Sequence, residues 1–284
     1  MSKFGPLVSP EWLHEHLSEP DLRIIDFRWY LSGRQGRDAY LGGHIPGAVF
    51  VDLDAVTGKG PGRHPLPTRQ QFQDEMRRAG VSASSRVIAY DDAGGSIAAR
   101  LWFLLGWFGH GAQAVLDSGL QGWGEPLETA VPFVQPGDFK ARAPKRSRIL
   151  DFEQVKRLSS TLRGRARAAT RVLIDARVGE RYRGEKEPID PKKGHIPGAV
   201  SAPWIDNLNA DARFKSSDEL RRKYEALGVD GKNGAVVYCG SGVNACHDLL
   251  ALEVAGISDV RLYAGSWSDW SHQDAPVATG DKPG

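Results

Sequence analysis

One heptapeptide, GHIPGAV, occurs twice in this chain, beginning at Gly43 and again at Gly194. Its surroundings recur in the same order. LRIIDFR from Leu22 answers RVLIDAR from Arg171, and RVIAYDDAGGS from Arg86 answers GAVVYCGSGVN from Gly234. A self-similarity of this span means two copies of one domain, and 284 residues suffice for each copy to bury its own core. The organisation expected is an N-terminal copy over residues 1–131, a Pro-bearing linker over 132–147 and a C-terminal copy over 148–284.

Within each copy, short Val/Ile runs alternate with helix-period segments such as 220–228 and 245–256. That alternation predicts an α/β fold: in each copy a parallel sheet flanked by helices on both faces. Ligands in such sheets gather at the carboxyl ends of strands. Cys239 stands at one of these ends, after the run AVVY. In the other copy the same place is taken by Asp91, with Asp92 at Gly240, Ala93 at Ser241 and Gly94 at Gly242. A cysteine that only filled the core would be expected to have a small apolar counterpart. A carboxylate there implies that one copy is chemical and the other retired.

The CGSGVN loop admits three readings. Gly240 and Gly242 let the backbone turn its N–H groups inward, and Asn244 suits the N-cap of the helix that follows. Inward N–H groups and a helix N-terminus together make an anion cradle, in which a thiol is held largely as the nucleophilic thiolate. As a dinucleotide fingerprint, Gly240, Gly242 and Ala245 satisfy G-x-G-x-x-A, but too little chain remains before Gly284. Asp259 also precedes its strand instead of ending it. As a phosphatase-type loop it lacks the terminal arginine, since none lies between Cys239 and His247. Cys246 falls on an apolar stripe with Leu250 and Val254, and is read as core.

Composition narrows the class. Charged residues are 25% of the chain and balance to a net charge of +2, so neither nucleic acid nor a membrane surface is called for. The basic stretches 140–148 and 163–171 lack interleaved aromatic residues and read as solvated faces. With two cysteines, no apolar leader in MSKFGPLVSPEW and no run approaching a membrane span, a soluble, cytoplasmic protein is expected.

The twin GHIPGAV segments, the CGSGV loop, GERYRG from Gly179 and GSWSDW from Gly265 together resemble the two-domain rhodanese-fold sulfurtransferases. The resemblance covers both halves of the chain. It implies that the N-terminal copy is catalytically silent. It also implies that Cys239 takes a sulfane sulfur from a small anionic donor, holds it as a persulfide and passes it to a thiophilic acceptor. Cyanide or a dithiol of the thioredoxin kind would serve. Family members preferring thiosulfate place basic residues directly after the cysteine, whereas those preferring 3-mercaptopyruvate carry Gly-Ser-Gly, as here. Thiosulfate as donor is the alternative within the class; a non-catalytic sulfur carrier is the alternative outside it.

The resemblance further implies a Ser-His-Asp relay of Ser241, His64 in GRHPLP and Asp54 in VDLD, set in a cleft between the copies. Cleavage of a C–S bond leaves an enolate, and the relay would handle its proton. Arg181 in GERYRG matches the donor-binding arginine, and the loop residues Gly240, Gly242, Val243 and Asn244 would line the donor site. The pattern's second arginine is absent: KEPIDPKKG has Ile189 at that position, and Arg183, Lys192 or Lys193 could compensate. His44 and His195 occur in both copies and are read as structural, as are Asp26 and Asp175. No metal and no organic cofactor are expected.

Overall fold

The structure is a computed structural model that describes residues 4–163, 171–230 and 232–284. The chain divides into two compact units. The first comprises the chain up to Gly58, Leu66–Lys145 and Leu208–Phe214; the second comprises Lys59–Pro65, Arg146–Asn207 and Lys215–Gly284. Each half of the sequence therefore lends a short segment to the unit built mainly from the other half.

In the first unit the elements are β1 (Leu7–Val8), α1 (Pro10–His16), β2 (Leu22–Asp26), α2 (Gly36–Leu41) and β3 (Val49–Phe50). They continue with α3 (Arg69–Arg78), β4 (Arg86–Tyr90), α4 (Ala98–Trp107) and β5 (Gln113–Leu116). In the second they are β6 (Ile149–Leu150), α5 (Phe152–Arg163), β7 (Val172–Asp175), α6 (Gly179–Arg183) and β8 (Val200–Ser201). There follow α7 (Ser217–Ala226), β9 (Ala235–Tyr238), α8 (Ala245–Val254), β10 (Val260–Tyr263) and α9 (Ser266–Trp270). Each unit holds a five-stranded sheet, with orders β1-β5-β4-β2-β3 and β6-β10-β9-β7-β8. Every strand pair is parallel. The α/β fold and the duplication read from sequence are both present.

The apolar runs explain the layers. All four residues of β9 are buried, as a strand covered by helices on both faces must be. Helices start where the sequence supplies caps: Ser9 accepts from the Trp12 N–H ahead of α1, and Ser216 with Glu219 forms a reciprocal capping box ahead of α7. The twin histidines have one structural task in both units. His44 stacks on Tyr40 and His195 on Tyr182, each with ring centroids 3.8 Å apart, and each Nδ1 lies 2.8 Å from that tyrosine's carbonyl oxygen. Asp26 and Asp175 likewise hold Arg28 and Arg177, whose Nη2 atoms donate to the Gly43 and Gly194 carbonyls.

Two sequence expectations change. Helix α8 is not amphipathic: Ala245 through Leu252 are all buried, His247 and Asp248 included. Asn207 lies against both polar side chains, its Nδ2 donating to Asp248 Oδ1 at 2.7 Å and sitting 3.2 Å from His247 Nδ1. Polar residues with buried partners hide the period on which an amphipathic reading depends. Cys246 is fully buried on this helix, its thiol 3.3 Å from the Gly242 carbonyl oxygen. The stretch 132–145 is laced along the first unit by the N–H groups of Gly137, Phe139, Arg142 and Lys145, which donate to Arg77, Val81, Phe108 and Trp107. The other basic stretch, 163–171, lies outside the described residues except for its ends.

Candidate active site

The central strand of each sheet delivers the residue that distinguishes the two copies: β4 ends at Tyr90, just before Asp91, and β9 at Tyr238, just before Cys239. In the second sheet the chain leaves β7 toward β8 and leaves β9 toward β10, so the loops after β7 and β9 diverge at a topological switch point. The loop after β7 leads into α6 and carries Arg181, which places that guanidinium beside the cysteine loop.

The Asp91 loop shows what such a loop grips. One carboxylate oxygen of Asp91 accepts from the N–H groups of Ala93 and Gly95, each at 2.8 Å. The other accepts from Ile97 and Ala98, each at 2.7 Å. Burial pushes this carboxyl up, and the four N–H donors oppose that push. In the first copy an internal carboxylate thus fills the ring of N–H groups. Ser241, Val243 and Ala245 stand at the positions of Ala93, Gly95 and Ile97.

Cys239 is 2% exposed and is supported from behind by the GSWSDW segment. Its N–H donates to Ser266 Oγ at 3.1 Å. The Trp267 and Ser268 N–H groups donate to the Cys239 and Gly240 carbonyls at 2.9 and 2.8 Å. Gly242 has φ +77°, and a Cβ there would stand 2.5 Å from the Ala264 carbonyl oxygen, so only glycine fits. Asn244 occupies the N-cap position but already has helical dihedrals and makes no capping bond. The capping role expected of its side chain is not realised.

Ser241 and His64 meet, as the relay requires: Oγ lies 2.9 Å from Nδ1, and both residues are buried. The segment carrying His64 packs in the second unit, although it belongs to the first half of the sequence. It is held there closely, because Gly62, at φ +84°, would place a Cβ 2.7 Å from the Gly265 carbonyl oxygen. Asp54 belongs to the first unit, where it opens a 3-10 turn over Asp54–Val56. Burial first, and then neighbouring Asp52, raise its carboxyl.

Arg181 lies beside the loop: its Nη1 would be 3.2 Å from a Cβ on Gly240. Its Nε and Nη2 are held by Glu187, at 3.0 and 2.7 Å, and Nη2 also reaches Asp190 at 3.1 Å. Arg183 points elsewhere, pairing with Glu185 at 2.7 Å, and Lys192 donates to the Gln273 carbonyl at 2.6 Å. Sequence reasoning missed Arg63, Glu187 and Asp190. Arg63 Nη2 would be 3.3 Å from the same Gly240 Cβ, and its Nη1 donates to Asp190 at 2.9 Å. The available signals were adjacency alone: Arg63 precedes His64, and Asp190 follows Ile189.

A buried cysteine in a glycine loop at the end of a central parallel strand, in the second of two duplicated domains, defines a class. The chain belongs to the rhodanese family, matching the rhodanese-like domain over residues 9–126 and again over 158–273. Its full-length relatives place it among the sulfurtransferases. It is 42% identical over 288 residues to a probable 3-mercaptopyruvate sulfurtransferase of Pseudomonas aeruginosa, covering 97% of this chain and 98% of that protein. It is 35% identical over 287 residues to the thiosulfate sulfurtransferase of Bos taurus, covering 96% and 94% respectively. Among solved structures it is similar to the 3-mercaptopyruvate sulfotransferase of Escherichia coli, with a TM-score of 0.80 and 34% identity over 92% of this chain and 98% of that one.

Proposed function

We propose that this sulfurtransferase uses 3-mercaptopyruvate as its sulfur donor. The observation that carries the reading is the 2.9 Å approach of His64 Nδ1 to Ser241 Oγ, two residues from Cys239. Proton handling at this place is needed when the leaving group is a carbon, and is superfluous when it is sulfite. In the reaction proposed, the Cys239 thiolate attacks the donor's sulfur. An S–S bond forms, the C–S bond breaks, and its electron pair leaves with the carbon as the enolate of pyruvate. Ser241, backed by His64, delivers the proton that completes pyruvate.

The N–H groups of Gly240, Ser241, Gly242, Val243 and Asn244 form the cradle around the Cys239 persulfide, and two of them, Ser241 and Val243, stand at the positions of Asp91 donors. Arg181 takes the donor's carboxylate. The acceptor then attacks the outer sulfur and Cys239 departs as thiolate. Cyanide gives thiocyanate; a dithiol closes to a disulfide and releases hydrosulfide. This chemistry needs a reduced thiol, and neither Cys239 nor Cys246 is in a disulfide, so we place the protein in the cytoplasm. Among the described residues no helix is long and apolar enough to cross a membrane.

The test is a side-by-side measurement of turnover with 3-mercaptopyruvate and thiosulfate, combined with mass spectrometry of the donor-treated protein. The reading expects one added sulfur on Cys239 and a higher kcat/KM with 3-mercaptopyruvate. A higher value with thiosulfate overturns it, as does a persulfide that no acceptor discharges.

A further inference from the structure

The absence of an arginine at position 189 leaves the donor's carboxylate with one assigned partner, Arg181. We infer that Arg63 is the second carboxylate-binding residue of this site, an inference that rests on the proposed donor. Four observations converge on it. First, the backbone of Arg63 is anchored next to the cysteine loop: its N–H donates to Ser268 Oγ at 3.0 Å, and the Ser268 N–H donates to the Gly240 carbonyl at 2.8 Å.

Second, Asp190 aligns the two guanidiniums. Its side chain is 1% exposed, and its two oxygens accept separately, Oδ1 from Arg63 Nη1 at 2.9 Å and Oδ2 from Arg181 Nη2 at 3.1 Å. Third, the other terminal nitrogens of both arginines converge on one point. Arg181 Nη1 and Arg63 Nη2 lie 3.2 and 3.3 Å from the position a Cβ would take on Gly240. Among the described residues neither nitrogen donates to a protein acceptor, and the Arg63 side chain is 28% exposed, open to a ligand. Fourth, two of the three cations that the sequence offered instead are engaged elsewhere, Arg183 with Glu185 and Lys192 with the Gln273 carbonyl.

The chemistry follows from the geometry. Two N–H donors aimed at one point match the two oxygens of a carboxylate, which a single guanidinium with its other nitrogens occupied cannot hold bidentately. Glu187 and Asp190 balance the two positive charges, so the clamp stands ready without a net buried charge that would splay it. Glycine at 240 keeps its mouth clear. Ile189 can therefore replace arginine because the second cation arrives from a different segment, Lys59–Pro65, and Asp190 beside it supplies the anchor.

The experiment compares wild type with Arg63→Gln and Arg63→Lys, with melting temperatures recorded for each. Steady-state kinetics with 3-mercaptopyruvate and a dithiol are joined by calorimetric binding of pyruvate, which carries the carboxylate and needs no turnover. Arg63→Gln should raise the KM for 3-mercaptopyruvate and the Kd for pyruvate together, by about 10- to 100-fold, as for loss of a charged hydrogen bond. The KM for the dithiol should stay as it is, and Arg63→Lys should fall between. Unchanged KM and Kd in a folded Arg63→Gln protein overturn the inference while leaving the proposed donor intact. Failure of wild type to turn over 3-mercaptopyruvate overturns the proposed donor, and the pyruvate comparison still decides whether Arg63 grips a carboxylate. Absence of pyruvate binding to wild type overturns the inference.

Discussion

Replacing His64 by alanine separates the two donor chemistries on one protein. The imidazole lies 2.9 Å from the Ser241 hydroxyl, and both are shielded from water, so no solvent molecule takes its place without cost. General acid–base assistance is worth about 10² to 10⁴ in rate, or about 3 to 5 kcal/mol of barrier. Ser241 keeps its own proton in the variant and can still donate it weakly, which puts the loss with 3-mercaptopyruvate in the lower half, about 10² to 10³. Thiosulfate releases sulfite, a good leaving group that needs little protonation, and its rate should fall less than about tenfold. The ratio of the two kcat/KM values should therefore drop by at least about tenfold. The assay measures both donors on one preparation at one pH, with the melting temperature as a control, since a buried ring is being truncated. Equal losses with both donors, or no loss with either, would refute the reasoning and reduce His64 to a turn residue before Pro65.

Cys239→Ser should abolish transfer and the mass gain while the fold persists, whereas Cys246→Ser should retain most activity because Cys246 is buried in the core with its thiol on the Gly242 carbonyl; turnover in the first variant sinks the mechanism. Gly242→Ala forces a side chain into φ +77° and against the Ala264 carbonyl; urea unfolding should show about 2 to 4 kcal/mol lost and persulfide formation should fail, and a neutral result would show that the loop can rearrange. Burial pushes the Asp248 carboxyl up to about 7, opposed by Lys223 and Asn207. Its folded-state value then lies above its unfolded value, so the native state holds a proton that the unfolded chain has released. Stability should fall as pH rises between about 4 and 7, by up to about 4 kcal/mol, the cost being complete above that window. Asp248→Asn should flatten this dependence and be the more stable protein at pH 8; denaturant titrations that find the variant less stable there contradict the account.

The first copy carries a carboxylate where the second carries Cys239. The Asp91 carboxylate accepts from four N–H groups of its own loop. The scaffold beneath was kept in both units, down to the Asp26–Arg28 and Asp175–Arg177 pairs and the stacked histidines, because those groups brace the sheet and not the chemistry.

What the sequence determined by itself is local or repetitive. The duplication, the parallel α/β class and the placing of Cys239 in a glycine loop after a strand all follow from patterns a few residues long, because periodicity, turn chemistry and strand burial act over that range. Asp54, Ser241, His64 and Arg181 were singled out by resemblance, and of these the structure joins Ser241 to His64 and seats Arg181 at the loop. Only the tertiary structure decided the rest. It showed that residues 59–65 pack with the second unit, that α8 is buried from Ala245 through Leu252, and that Asp190 bridges Arg63 and Arg181. Ser241 and His64 are 177 positions apart, and Arg63 and Asp190 are 127 apart. No periodicity spans such distances. Which distant groups meet depends on where the closed fold places each loop end, and on which buried charges must find one another before the core can exclude water.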